Sequence, residues 1–151
     1  MSLGARYAHT NLVARDWRRL ADFYVRLFDC VPVPPERDYQ GSALDAGTGL
    51  SGARLTGQHL RLPGYGENGP TLEIFNYAAL AEEGDKAVNR PGYGHVAFGV
   101  DDVAAARAAV LAAGGSAVGE VVTLTTATGG RVTWCYVTDP EGNVIELQSW
   151  A

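Results

Sequence analysis

The stretch Tyr93-Gly94-His95-Val96-Ala97-Phe98-Gly99-Val100-Asp101-Asp102 decides how the rest of the chain is read. It alternates as a short half-buried strand does, carries one histidine, and runs into an aspartate suited to cap a helix. An earlier stretch, Tyr7-Ala8-His9-Thr10-Asn11-Leu12-Val13-Ala14-Arg15-Asp16, has the same layout. In both, a tyrosine stands two residues before the histidine, an aspartate stands seven after it, and a helical pattern follows. Such self-similarity at a fixed offset is the signature of a duplicated unit.

Working outward, residues 5–13 read as a strand with Tyr7, His9, Asn11 and Val13 on one face. Asp16 opens a helix to about Asp29, with Trp17, Leu20, Tyr24, Leu27 and Phe28 at helical spacing. Pro32, Pro34 and Pro35 stop that helix and leave room for only a short edge strand. Ser42–Ala46 suits one or two helical turns ended by Gly47 and Gly49. Strands follow at 54–62 and 70–77, joined through a turn at Pro63-Gly64-Tyr65-Gly66. Alternation places Thr71, Glu73, Phe75 and Tyr77 together, with Leu72 and Ile74 opposite. Residues 79–92 read as a solvated linker.

The second half repeats the plan. A strand at 93–100 presents His95, Ala97 and Gly99 on one side, and Asp102 caps an alanine-rich helix ending at Gly114-Gly115. Strands at 117–125 and 131–138 precede the turn Asp139-Pro140-Glu141-Gly142-Asn143, and the last strand is 144–148. Each half is β-α-β-β-β. The expected fold is α+β: a module at 5–78, the linker, and a module at 93–149, forming one domain with a curved, mostly antiparallel sheet around a cavity. Each half also closes on an apolar-Glu-apolar strand, Leu72-Glu73-Ile74 and Ile145-Glu146-Leu147.

His9, Glu73, His95 and Glu146 therefore occupy matched positions. A single strand histidine is more often a satisfied core or surface residue, and a single mid-strand glutamate usually faces solvent. The repetition in both halves tips the balance toward a shared inner face. Two imidazoles and two carboxylates suit one divalent ion per site, Zn, Ni, Mn, Co or Fe. Asn11, Phe75 and Tyr77 share faces with these residues and are candidates for substrate contact. His59 and Arg131 are also candidates, although each reads as readily as an ordinary strand histidine and a hairpin-tip cation. Trp134 reads as core.

Bulk properties narrow the function classes. With 151 residues and 46% apolar content the chain can bury a sizeable core. A net charge of −5 and the absence of a basic stripe argue against a nucleic-acid partner. No apolar run approaches the roughly 18 residues of a membrane span, and no leader is evident. Cys30 and Cys135 lack CxxC spacing and read as buried free thiols of a cytoplasmic protein.

Taken together, His9-Thr10 leading to Asp16 and Phe23-Tyr24, Leu72-Glu73, Gly94-His95-Val96-Ala97-Phe98, and Asp139-Pro140-Glu141-Gly142 leading to Ile145-Glu146-Leu147 resemble the vicinal oxygen chelate superfamily over residues 6–149. Its members include glyoxalase I, methylmalonyl-CoA epimerase, extradiol dioxygenases, and fosfomycin and bleomycin resistance proteins. The ligand pattern is most similar to glyoxalase I. That resemblance implies metal binding by His9, Glu73, His95 and Glu146, and a small-molecule substrate with adjacent oxygen atoms. It implies proton transfer through a metal-chelated enediolate, with Glu146 as base and Glu73 as its partner. It also implies a homodimer, with each site built within one chain or across two.

Two positions depart from the bacterial glyoxalase I pattern. Val13 replaces an arginine that grips glutathione, and Tyr77 replaces an asparagine. The 36–52 segment is longer than in a compact bacterial glyoxalase I and more similar to epimerase-type relatives, which implies a lid over the cavity. Acyl-CoA or 2-oxoacid epimerases, extradiol-type dioxygenases and metal-free sequestering proteins stand as alternatives. A fourth anionic ligand speaks against the dioxygenase, and intact ligand positions speak against sequestration.

Overall fold

The computed structural model describes residues 2–151, which divide into two compact units, one ending at residue 82 and the other spanning 83–151. The architecture is α+β, with the β-α-β-β-β plan in both units. The strands sort into two separate four-stranded mixed sheets.

In the first unit the order along the chain is β1 (His9–Val13), α1 (Trp17–Phe28), β2 (Val31–Gln40), α2 (Ser42–Thr48), β3 (Arg54–Arg61) and β4 (Thr71–Tyr77). The sheet runs β1-β4-β3-β2, with β1 parallel to β4 and the other pairs antiparallel. Helix α1 begins where Asp16 accepts a hydrogen bond from the Arg19 backbone N–H at 3.0 Å, a cap worth about 1 kcal/mol. It packs on β3 and β4. Leu20, Phe23 and Tyr24 on the helix and Leu60, Leu72 and Ile74 on the sheet are all fully buried. Each aliphatic side chain buried in this way contributes roughly 1.5–3 kcal/mol.

The second unit contains β5 (Val96–Gly99), α3 (Val103–Ala112), β6 (Ser116–Thr125), β7 (Arg131–Thr138) and β8 (Val144–Trp150), in sheet order β5-β8-β7-β6. Asp102 caps α3 by accepting from the Ala105 N–H at 2.9 Å. The helix lies against β6, β7 and β8, over Cys135, Val137, Ile145 and Leu147, all at 0% exposure. Buried Asp139 holds the turn before β8, accepting from the backbone N–H groups of Glu141 and Asn143 and from the Asn143 side chain.

Several boundaries differ from the sequence expectations. The proline-containing strand β2 is ten residues long rather than short. It survives because it is an edge strand whose register shifts between Val33 and Arg37, so proline nitrogens are not required by a ladder on both sides. Its length absorbs residues 36–40 of the expected lid. In the remainder α2 is tied down by Asp45, which accepts from the Gly52 and Ala53 N–H groups at 2.9 and 2.7 Å. His95 precedes β5 instead of lying within it, and β8 continues to Trp150. No helix among the described residues is long and apolar enough to cross a membrane.

Both cysteines are free and buried. Burial, helped by the neighbouring Asp29 charge, pushes the Cys30 thiol up to about 11, and burial raises that of Cys135 as well. The nucleophile is the thiolate, so at pH 8 only about one Cys30 in a thousand is in the reactive form. Native protein should therefore release almost no chromophore from an aromatic disulfide reagent at pH 8. Two thiols per chain should react once denaturant is added. Rapid labelling of native protein would contradict this.

Candidate metal-binding half-sites

Each sheet has one face covered by its helix and one that the helix does not cover. On β4, Leu72 and Ile74 point to the covered face, so strand alternation sends Glu73 to the other. Register then decides its neighbours. Asn11 on β1 and His59 on β3 both lie directly opposite Glu73.

The contacts follow this register. Glu73 Oε1 accepts a hydrogen bond from Asn11 Nδ2 at 2.9 Å and has His9 Nε2 at 3.8 Å. Glu73 Oε2 has His59 Nε2 at 2.9 Å. On the far side of the ring, His59 Nδ1 is 3.1 Å from the Thr71 hydroxyl. A neutral His59 satisfies both contacts if Nε2–H donates to the carboxylate and Nδ1 accepts from Thr71. Burial lowers the pKa of His59 against the pull of Glu73 and favours this neutral ring. His9 meets His59 edge-on at 5.9 Å, and Phe75 meets His59 in the same manner at 5.9 Å.

Gly57 makes room for that packing. A Cβ there would come within 2.3 Å of Phe75 Cδ1 and 2.1 Å of the Ile74 carbonyl oxygen. Only a residue without a side chain lets the Phe75 ring lie across β3 beside His59.

The second unit builds the corresponding pair. Ile145 and Leu147 are buried under α3, and Glu146 points to the other face. Its Oε2 lies 3.1 Å from His95 Nε2. Its register neighbours are Ala97 on β5 and Tyr136 on β7. The Tyr136 ring stacks obliquely on His95 at 5.1 Å and edge-on with Trp134 at 4.9 Å.

His9, Asn11, His59, Glu73 and Phe75 thus form one cluster, and His95 and Glu146 form a pair. Tyr77 shares the Glu73 face two positions beyond Phe75. Arg131 is not part of either group. Alternation along β7 puts it with Cys135 and Val137, on the face opposite Glu146. Trp134, expected in the core, is only half-buried and lies on the Glu146 face. Among the described residues, no three or more His, Cys, Asp or Glu side chains form a metal-holding cluster. A cavity of about 560 Å³ in the first unit is lined by Arg6, Tyr7, Ala8, Asn68, Gly69 and Pro70, without a histidine or carboxylate.

A family model, the Glyoxalase/Bleomycin resistance protein/Dioxygenase superfamily, matches residues 6–147. The chain belongs to that superfamily. Solved structures share the fold of this glyoxalase-superfamily chain at low identity. A glyoxalase family protein from Bacillus cereus has a TM-score of 0.72 at 19% identity, covering 99% of this chain and 95% of the other. A glyoxylase/bleomycin resistance protein/dioxygenase domain from Frankia sp. EAN1pec has a TM-score of 0.58 at 17% identity, covering 99% and 94%. The fosfomycin resistance protein FosX from Listeria monocytogenes, solved with Mn(II) and sulfate, has a TM-score of 0.51 at 16% identity, covering 99% and 93%. No curated protein sequence matches the chain.

Within the superfamily, the donor chemistry of this member fits a divalent ion. Each unit directs an imidazole Nε2 and a carboxylate toward one another on the face free of its helix. Neutral imidazole and carboxylate are both good ligands for intermediate metals.

Proposed function

We propose that this superfamily member is a metal-dependent isomerase or lyase of the glyoxalase I type, acting on a small molecule with adjacent oxygen atoms. The observation that carries the reading is the twofold His–Glu pairing: His9 with Glu73, and His95 with Glu146, each at the same place in its repeat. These four residues would hold one divalent ion. When bound, it would act as a Lewis acid that polarises the substrate carbonyl.

The remaining chemistry belongs to the protein. Glu146 takes a proton from the carbon beside the carbonyl and returns it to the neighbouring carbon, so the base ends the cycle as it began. Its side chain is 18% exposed, open enough to be reached. Glu73 is the partner carboxylate. Asn11 and Phe75 line the first-unit cluster beside His59, and Tyr77 extends the same face. In this proposal the active form is a homodimer, which sedimentation equilibrium would test.

The purified protein should bind about one equivalent of Co²⁺ or Ni²⁺, and His95→Ala should abolish most of that uptake. If His95→Ala kept the full metal content, the ligand assignment would be wrong. Metal-loaded protein should convert methylglyoxal in the presence of a thiol without consuming oxygen. Oxygen uptake with ring cleavage of a catechol would instead place the chain among the dioxygenases. Metal-free protein that binds a small ligand without turning it over would place it among the sequestering proteins.

A further inference from the structure

The repeat is broken beside its two glutamates. Glu73 is flanked in register by two polar side chains, Asn11 and His59. The matching neighbours of Glu146 are Ala97 and Tyr136. Both oxygens of Glu73 are consequently engaged, Oε1 by Asn11 Nδ2 at 2.9 Å and Oε2 by His59 Nε2 at 2.9 Å. His59 is itself anchored, through Nδ1 to Thr71 at 3.1 Å and through its ring to Phe75. Among the described residues, Glu146 has His95 as its polar partner, on one oxygen.

We infer that Asn11 and His59 are positioning residues that immobilise Glu73 and make the two carboxylates of the duplicated fold inequivalent. Glu73 is held as a fixed ligand, and Glu146 keeps the rotational freedom that a proton carrier needs. A carboxylate clamped at both oxygens has its lone pairs oriented in advance. Partners of this kind around a metal ligand typically change metal affinity by about 10–100-fold when removed. The consequence for the metal rests on the functional reading above. The clamp itself does not.

Two measurements on the 151-residue chain separate these. In metal-free protein, long-range ¹H–¹⁵N spectra should show His59 as the Nε2–H tautomer, and Glu73→Gln should shift its ring nitrogens. Unchanged His59 resonances in Glu73→Gln would overturn the clamp, whether or not any metal binds. With Co²⁺ as the probe, His59→Phe and Asn11→Ala should each weaken binding by about 10-fold or more and alter the visible d–d spectrum. His59→Gln, which keeps a donor N–H, should restore most of the affinity. Tyr136→Phe, at the matching place beside Glu146, should leave affinity unchanged. If the wild type takes up Co²⁺ and both clamp variants bind it equally well with the same spectrum, the positioning role is refuted while the metal site stands. If the wild type takes up no Co²⁺, the functional reading fails and the NMR result alone decides the clamp.

Discussion

Glu146→Gln is expected to lower turnover by about 10²–10⁴-fold while leaving the fold intact, the range associated with loss of a positioned general base. Glutamine keeps the length and one oxygen of the side chain but cannot accept the substrate proton. The direct readout is exchange of the substrate C–H with deuterium oxide, catalysed by metal-loaded protein and followed by NMR. Exchange should collapse in Glu146→Gln, whereas its circular dichroism should match the wild type. Glu73→Gln should act differently. Because Glu73 is clamped by Asn11 and His59, its loss should appear first as weaker metal binding. If Glu73→Gln stopped exchange and Glu146→Gln did not, the two carboxylates would have to trade roles.

The largest stability effects are expected one residue away, on the other face of the same strands. Ile74 and Leu147 occupy the same position of the repeat, and both are at 0% exposure beneath a helix. Truncating either to alanine removes buried methyl and methylene groups and leaves a cavity the neighbours fill only partly. The expected loss is about 2–5 kcal/mol. For a chain of this size that corresponds to a fall in melting temperature on the order of 5–15 °C. Thr123→Ala, on an exposed strand position, should change it little. A drop of less than about 2 °C for Ile74→Ala would mean that the α1 face is not the core of its unit.

Much of this architecture was readable in the residues. Asp16 and Asp102 announce their helices because a carboxylate at the N-cap satisfies an N–H that the helix cannot. The apolar-Glu-apolar triplets announce which way Glu73 and Glu146 point, since strand side chains alternate and the flanking residues must be buried. The length of β2 was not readable. Its prolines forbid a central strand, but whether they end a strand or sit in an edge irregularity depends on what lies beside them.

His59 shows where the sequence stops informing. A tight turn at Pro63–Gly66 would leave it facing residues short of Glu73. In the structure the connection is longer and closes through the Leu62 N–H to the Pro70 carbonyl, which brings His59 opposite Glu73. A slip of one residue would have turned the histidine to the helix-covered face. The second hairpin was easier, because Asp139 to Asn143 is a compact turn and already implies Tyr136 opposite Glu146.

The residues alone determined the duplication, the capped helices, and the face on which each paired histidine and glutamate stands, because these follow from local periodicity and capping chemistry. Only the tertiary structure decided which side chains flank Glu73, because cross-strand register there is set by the longer loop closure and by packing over the whole sheet. That register gives Glu73 a clamp of Asn11 and His59 and leaves Glu146 beside Ala97 and Tyr136.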